Sequence, residues 1–83
     1  MSIRVTLLYF GQARDGSGRG EEAFTLPTGS SIDALVKKAT VKHPRLQKLK
    51  TSAQVALNEE IASGGDSLKD GDVVALLPPV AGG

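Results

Sequence analysis

A single stretch of helical periodicity lies between two apolar runs that read as strands, and this limits what the chain can become. In "TGSSIDALVKKATVKHP", Ile32, Leu35, Val36 and Ala39 fall on one face at helical spacing, while Lys37, Lys38 and Lys42 take other positions. Ser30 and Asp33 have capping-box spacing, with Asp where Glu is usual. Pro44 disfavours helix at His43, so the helix is expected to end there. The β-branched, aromatic and aliphatic run Ile3 to Phe10 predicts a first strand, and Glu22 to Leu26, stopped by Pro27, a second. "GQARDGSGRGEE" between them reads as a Gly-rich loop closing a hairpin. "RLQKLK" reads as an irregular turn, "AQVALN" as a third strand and "EIA" as a short fourth. Val73 to Leu77, after the Asp70-Gly71 turn pair, is the last strand.

One helix covers one face of a sheet. Yet the first and last strands are apolar on both faces. Ile3, Val5 and Leu7 alternate with Arg4, Thr6, Leu8 and Phe10; Val73, Ala75 and Leu77 alternate with Val74 and Leu76. Whichever set packs on the helix, large apolar side chains are left on the other face. Central, mutually paired strands have this pattern, and an exposed apolar patch marks a partner surface. The expectation is an α+β fold: a mixed sheet of four to five strands on one main helix.

Composition removes several classes of activity. The chain has 83 residues, enough for one small domain. It has no cysteine and a single histidine, His43, which excludes disulfides, zinc-thiolate sites, thiol nucleophiles and His-based triads. No metal site and no permanently bound cofactor are expected. A net charge of +1 gives no bulk attraction to nucleic acid or membrane. No apolar run is long enough to cross a bilayer, and "MSIRVTLLYF" lacks the features of a signal peptide, so a cytoplasmic location is expected. "GSGRG" lacks dinucleotide-fingerprint spacing and precedes a strand. The positive run from Lys37 to Lys50 reads as a solvated face, with contact to an acidic partner the alternative.

The chemistry concentrates in "VVALLPPVAGG". Pro78 and Pro79 fix φ and donate no hydrogen bonds, so the chain must leave the sheet there. This divides the chain into a domain over 1–77 and a tail over 78–83. Extended at roughly 3.1–3.6 Å per residue, the tail reaches about 20 Å. Val80 and Ala81 are small, and Gly82 and Gly83 carry no side chains, so the tail can thread a narrow channel. Its one reactive group is the α-carboxylate of Gly83. That carboxylate becomes an acyl donor once another enzyme adenylates it with ATP. The acyl group can then pass to an amine or a thiol, or become a thiocarboxylate.

"LLPPVAGG", with "LYFGQAR" near the start and "LKDGDVVALLPP" before the tail, resembles the small subunits of molybdopterin synthase, which are β-grasp, ubiquitin-like sulfur carriers. The resemblance spans essentially the whole chain. It implies adenylation of Gly83 by an E1-like activating enzyme and conversion to a thiocarboxylate by a sulfur donor such as a cysteine desulfurase. Insertion of the tail into the large subunit follows, with sulfur donated to cyclic pyranopterin monophosphate. It makes Gly83 the donor, Gly82 a slender neck, and Pro78, Pro79, Val80 and Ala81 the insert. The catalytic acid-base groups then belong to the large subunit, in an assembly of two small and two large chains. It also implies that Phe10, Arg14, Ile61 and Leu77 form a docking surface for both partners. Three departures stand out: the Gly-rich loop from Asp15 to Gly20, "NEEI", which lacks the Gly often found after this Asn, and "SGGDS", looser than in many members. Three other readings stay open: a carrier of the same fold serving thiamine or cysteine biosynthesis, a ubiquitin-like modifier joining Gly83 to lysines, and a plain interaction domain with an inert tail.

Overall fold

The computed structural model describes residues 1–49 and 52–79. Strand β1 (Ser2–Tyr9) pairs antiparallel with β2 (Glu21–Pro27), as the hairpin reading expects. The last strand, β5 (Val73–Leu77), lies parallel to β1 on its other side, with Leu7 opposite Val74 and Tyr9 opposite Leu76. β3 (Gln54–Leu57) pairs antiparallel with β5, and the short β4 (Glu60–Ala62) pairs with β3. The sheet order is β2-β1-β5-β3-β4. The two strands that are apolar on both faces are therefore internal neighbours.

The main helix, α2 (Ile32–Lys42), covers one face. Ile32, Leu35, Val36 and Ala39, the stripe legible in the sequence, are all buried. They pack with Ile3, Val5, Leu7 and Tyr9 of β1, Phe24 and Leu26 of β2, and Val74 and Leu76 of β5 in one core. Each Val, Leu, Ile or Phe among them, moved out of water, stabilises the fold by about 1.5–3 kcal/mol before entropy is counted.

The helix starts one residue later than the capping-box reading places it. Ser31 is extended (φ −94°, ψ 169°), and its hydroxyl accepts from the Ala34 N–H at 3.2 Å. Ser30 instead donates to the Pro27 carbonyl at 2.6 Å, closing the turn before the helix. At the other end the His43 N–H reaches the Ala39 carbonyl at 2.8 Å. Pro44 then opens a 3₁₀ segment (Pro44–Leu49) that seats Leu46 and Leu49 in the core.

The Gly-rich connection is not all loop. Gln12–Ser17 form a short helix, α1. Ala13 is fully buried, and Gly16 lets the 3₁₀ segment approach closely: a Cβ there would lie 3.1 Å from Leu46 Cδ2. Tertiary packing on Leu46, rather than propensity, holds this turn of helix. None of the described helices is long and apolar enough to cross a membrane.

Candidate docking face and tail root

On the side of the sheet away from α2, the register brings together what the sequence only alternates. Leu8 of β1 lies opposite Ala75 of β5, and Ala75 opposite Ala56 of β3, which pairs with Ile61 of β4. Phe10 follows β1 at one end. These residues, with Leu77, Val73, Asn58 and Glu59, line an apolar groove of about 500 Å³. Phe10 is 47% exposed and Ile61 69%, the latter far above the range of core residues. Among the described residues no helix covers this face, so its apolar side chains remain available to a partner.

Three of the four predicted docking residues, Phe10, Ile61 and Leu77, meet in this groove. The fourth does not. Arg14 lies on α1 beside Gly20, where a Cβ would come 3.7 Å from the Arg14 Cζ, and it is not among the groove's residues. The residues passed over individually are Ala56, Asn58 and Glu59. For Ala56, the signal was its register opposite Ala75, which sequence order alone does not reveal.

The groove ends at the root of the tail. Leu77 is the last residue of β5, and Pro78 and Pro79 follow it out of the sheet. The half-buried Pro78 ring sits near Gly11, at the start of α1, where a Cβ would lie 3.9 Å from Pro78 Cγ. Val80, Ala81, Gly82 and Gly83 lie outside the described residues.

The helix-facing side at this same end holds a buried ionic cluster. Glu22 of β2 points into the core, its side chain 2% exposed. Its Oε1 accepts from the Tyr9 hydroxyl at 2.8 Å and contacts His43 Nε2 at 2.8 Å. Its Oε2 pairs with Lys42 Nζ, and with Arg19 at 3.3 Å. Burial alone would raise the Glu22 carboxyl, but Lys42, His43 and Tyr9 hold it down, from 4.5 to about 2. Burial, with the adjacent Glu22 charge, pushes the Tyr9 hydroxyl far above its ordinary range. His43 is therefore more than a helix-end residue: it ties the end of α2 to β2 and, through Glu22, to β1. The cluster braces the sheet beside the tail root and offers no open chemistry, because its carboxylate is enclosed by its partners.

A sheet of this order, with one main helix across one face and an apolar groove on the other that ends at Leu77, defines a ubiquitin-like β-grasp protein. The chain belongs to the ThiS family, whose pattern matches residues 7–83. It is 38% identical to the molybdopterin synthase sulfur carrier subunit of Mycobacterium tuberculosis, covering 98% of this chain and 99% of that one. It is 35% identical to the subunit of that name from Chlamydomonas reinhardtii, covering 98% and 100%. Among solved structures it is similar to a molybdopterin converting factor subunit 1 of Pyrococcus furiosus, with TM-score 0.84, 29% identity, and 94% and 99% coverage. A second similar structure is a complex of subunits 1 and 2 of the molybdopterin-converting factor from Helicobacter pylori. It matches with TM-score 0.65 and 29% identity, covering 98% of this chain and 100% of that chain.

Proposed function

We infer that this chain is the sulfur carrier of molybdenum cofactor biosynthesis, acting as the small subunit of molybdopterin synthase. The observation that carries the reading is continuity: the uncovered apolar groove ends at Leu77, and Pro78 and Pro79 direct the chain off the sheet from that point. A partner that covers Phe10, Ile61 and Leu77 takes hold of the root of the tail. The names of the full-length relatives support the same activity, and the Helicobacter pylori complex supports a large-subunit partner.

The chemistry proceeds in three steps. The Gly83 carboxylate attacks the α-phosphorus of ATP on an E1-like activating enzyme, giving an acyl adenylate and pyrophosphate. The persulfide of a donor such as a cysteine desulfurase displaces AMP to give an acyl disulfide, and a thiol reductant cleaves that disulfide, leaving the thiocarboxylate on Gly83 and the thiol oxidised. Docked on the large subunit, Gly82 and Gly83 pass through a channel too narrow for side chains, with Pro78 to Ala81 as the insert. Sulfur is then donated to cyclic pyranopterin monophosphate, and water restores the carboxylate. This chain supplies the donor and the grip; proton transfer falls to the large subunit. Since dithiolene formation needs two sulfurs, two loaded carriers serve each product, which accords with two small and two large chains in a cytoplasmic assembly. ATP is the activating enzyme's substrate, and this chain keeps no cofactor of its own.

The test is the chemical state of Gly83 after incubation with ATP, a sulfur source and the activating enzyme. A thiocarboxylate there supports the reading. An unchanged carboxylate from a mixture that loads a known carrier sinks it.

A further inference from the structure

The end of the groove remote from the tail is charged, and one of its residues sits where its backbone is strained. Leu57 pairs directly with Glu60, so β3 and β4 are joined by a two-residue loop, Asn58–Glu59. Both residues have positive φ, 49° and 74°. Tight hairpin turns of the I′ type need this, and Asn-Gly is the pair they favour. Asn58 suits its place. Its Oδ1 accepts from the Val73 N–H at 2.9 Å and its Nδ2 donates to Asp72 at 3.1 Å. Glu59 has no such compensation: among the described residues its carboxylate makes no hydrogen bond or ion pair. It is exposed, and it forms part of the groove wall. Strain of this kind at a binding surface points from geometry to use.

We propose that Glu59 is a specificity-determining residue of the docking face: its carboxylate reads a cationic side chain, Arg or Lys, on the rim of the protein surface that covers Phe10, Ile61 and Leu77. The proposal rests on the docking reading above and names the chemistry of that partner's rim. Apolar contact holds two surfaces together without fixing their rotation. Along β5 the groove extends from Leu77 to Val73, about 13 Å at roughly 3.3 Å per residue. A charge contact at the far end of that lever sets the angle at which the tail enters the partner. The sign follows from the neighbours. Asp72 stands beside Glu59, bound to Asn58, while Glu60 has the opposite parity to Ile61 and is not part of the groove. Among the described residues no cation pairs with the Glu59 carboxylate at this end of the groove, so the complement it selects is basic.

The experiment uses the full chain and the large subunit of its host's molybdopterin synthase, with binding measured at low salt and at about 0.5 M salt, where exposed charges are screened. Glu59→Gly removes both charge and strain; Glu59→Gln removes the charge and keeps the strain. Glu59→Gly is expected to melt a few degrees higher than the parent and Glu59→Gln close to it. Both are expected to bind about three- to fivefold more weakly at low salt, with the difference closing at high salt. Parent-like binding by both variants at low salt, while Phe10→Asp abolishes binding, overturns the proposal and leaves the docking reading intact. Weakening in Glu59→Gly alone also overturns it, because the loss then belongs to the backbone. Failure of the parent chain to bind, or parent-like binding by Phe10→Asp, overturns the docking reading itself.

Discussion

Replacing Glu22 by glutamine removes one charge from the interior and keeps nearly the same shape. The parent carboxyl moves from 4.5 to about 2 on folding. At about 1.36 kcal/mol per pKa unit, that difference of roughly 2.5 corresponds to about 3.4 kcal/mol. Lys42, the first of the groups that lower the pKa, is more than half exposed, so screening brings the figure to about 2–3 kcal/mol. Because folding lowers this pKa, the ionised carboxylate stabilises the native state above about pH 4.5. The contribution drains away as pH falls toward 2. The stability gap between parent and Glu22→Gln is therefore expected to be full at pH 5.5 and above. Less than half of it should remain at pH 3, since the two pKa values bracket that point. Urea unfolding of both proteins at several pH values between 7 and 3 measures the gap directly, and titrations common to the two chains cancel. A gap that stays constant over this range, or stays below about 0.5 kcal/mol at pH 7, would refute the reasoning: the cluster would then be held by shape and hydrogen bonds rather than by charge.

Phe10→Asp places a charge in the apolar groove without touching the core, since Phe10 is 47% exposed. It should change the melting temperature by no more than a degree or two while abolishing co-elution with the large subunit; a variant that still co-elutes would move the docking site off this face. Ser31→Ala removes the side-chain cap on the Ala34 N–H and should cost about 1 kcal/mol in urea unfolding, whereas Ser30→Ala should cost less. The reverse order would restore Ser30 as the cap.

The strands and the main helix were legible because each carries its own period. The alternation of Ile3, Val5 and Leu7 against Leu8 and Phe10 foretold both a core face and an uncovered one. The stripe from Ile32 to Ala39 foretold how α2 packs. α1 was hidden because four glycines, Gly11, Gly16, Gly18 and Gly20, lie in or beside it, and its stability comes from Leu46, far along the chain. Ser30 and Ser31 could not be separated by spacing, since the choice between them depends on a turn at Pro27. Glu22 reads as a strand residue and His43 as a helix end. That they meet across 21 positions is a fact of tertiary structure alone. At the docking face, parity brought Phe10 and Leu77 together. Arg14 went elsewhere because the segment carrying it turns into a helix directly after Phe10.

The proposed function has sulfur carried on Gly83 and spent on a pterin. The most direct measurement is the intact mass of the chain, first after loading with ATP, a sulfur source and the activating enzyme, then after adding the large subunit and cyclic pyranopterin monophosphate. The expected result is a gain equal to the exchange of one oxygen for sulfur, located at Gly83. That gain should disappear in the second step as the dithiolene product forms. A loaded mass that persists in the presence of an active large subunit and its substrate would contradict it, as would sulfur found anywhere but Gly83.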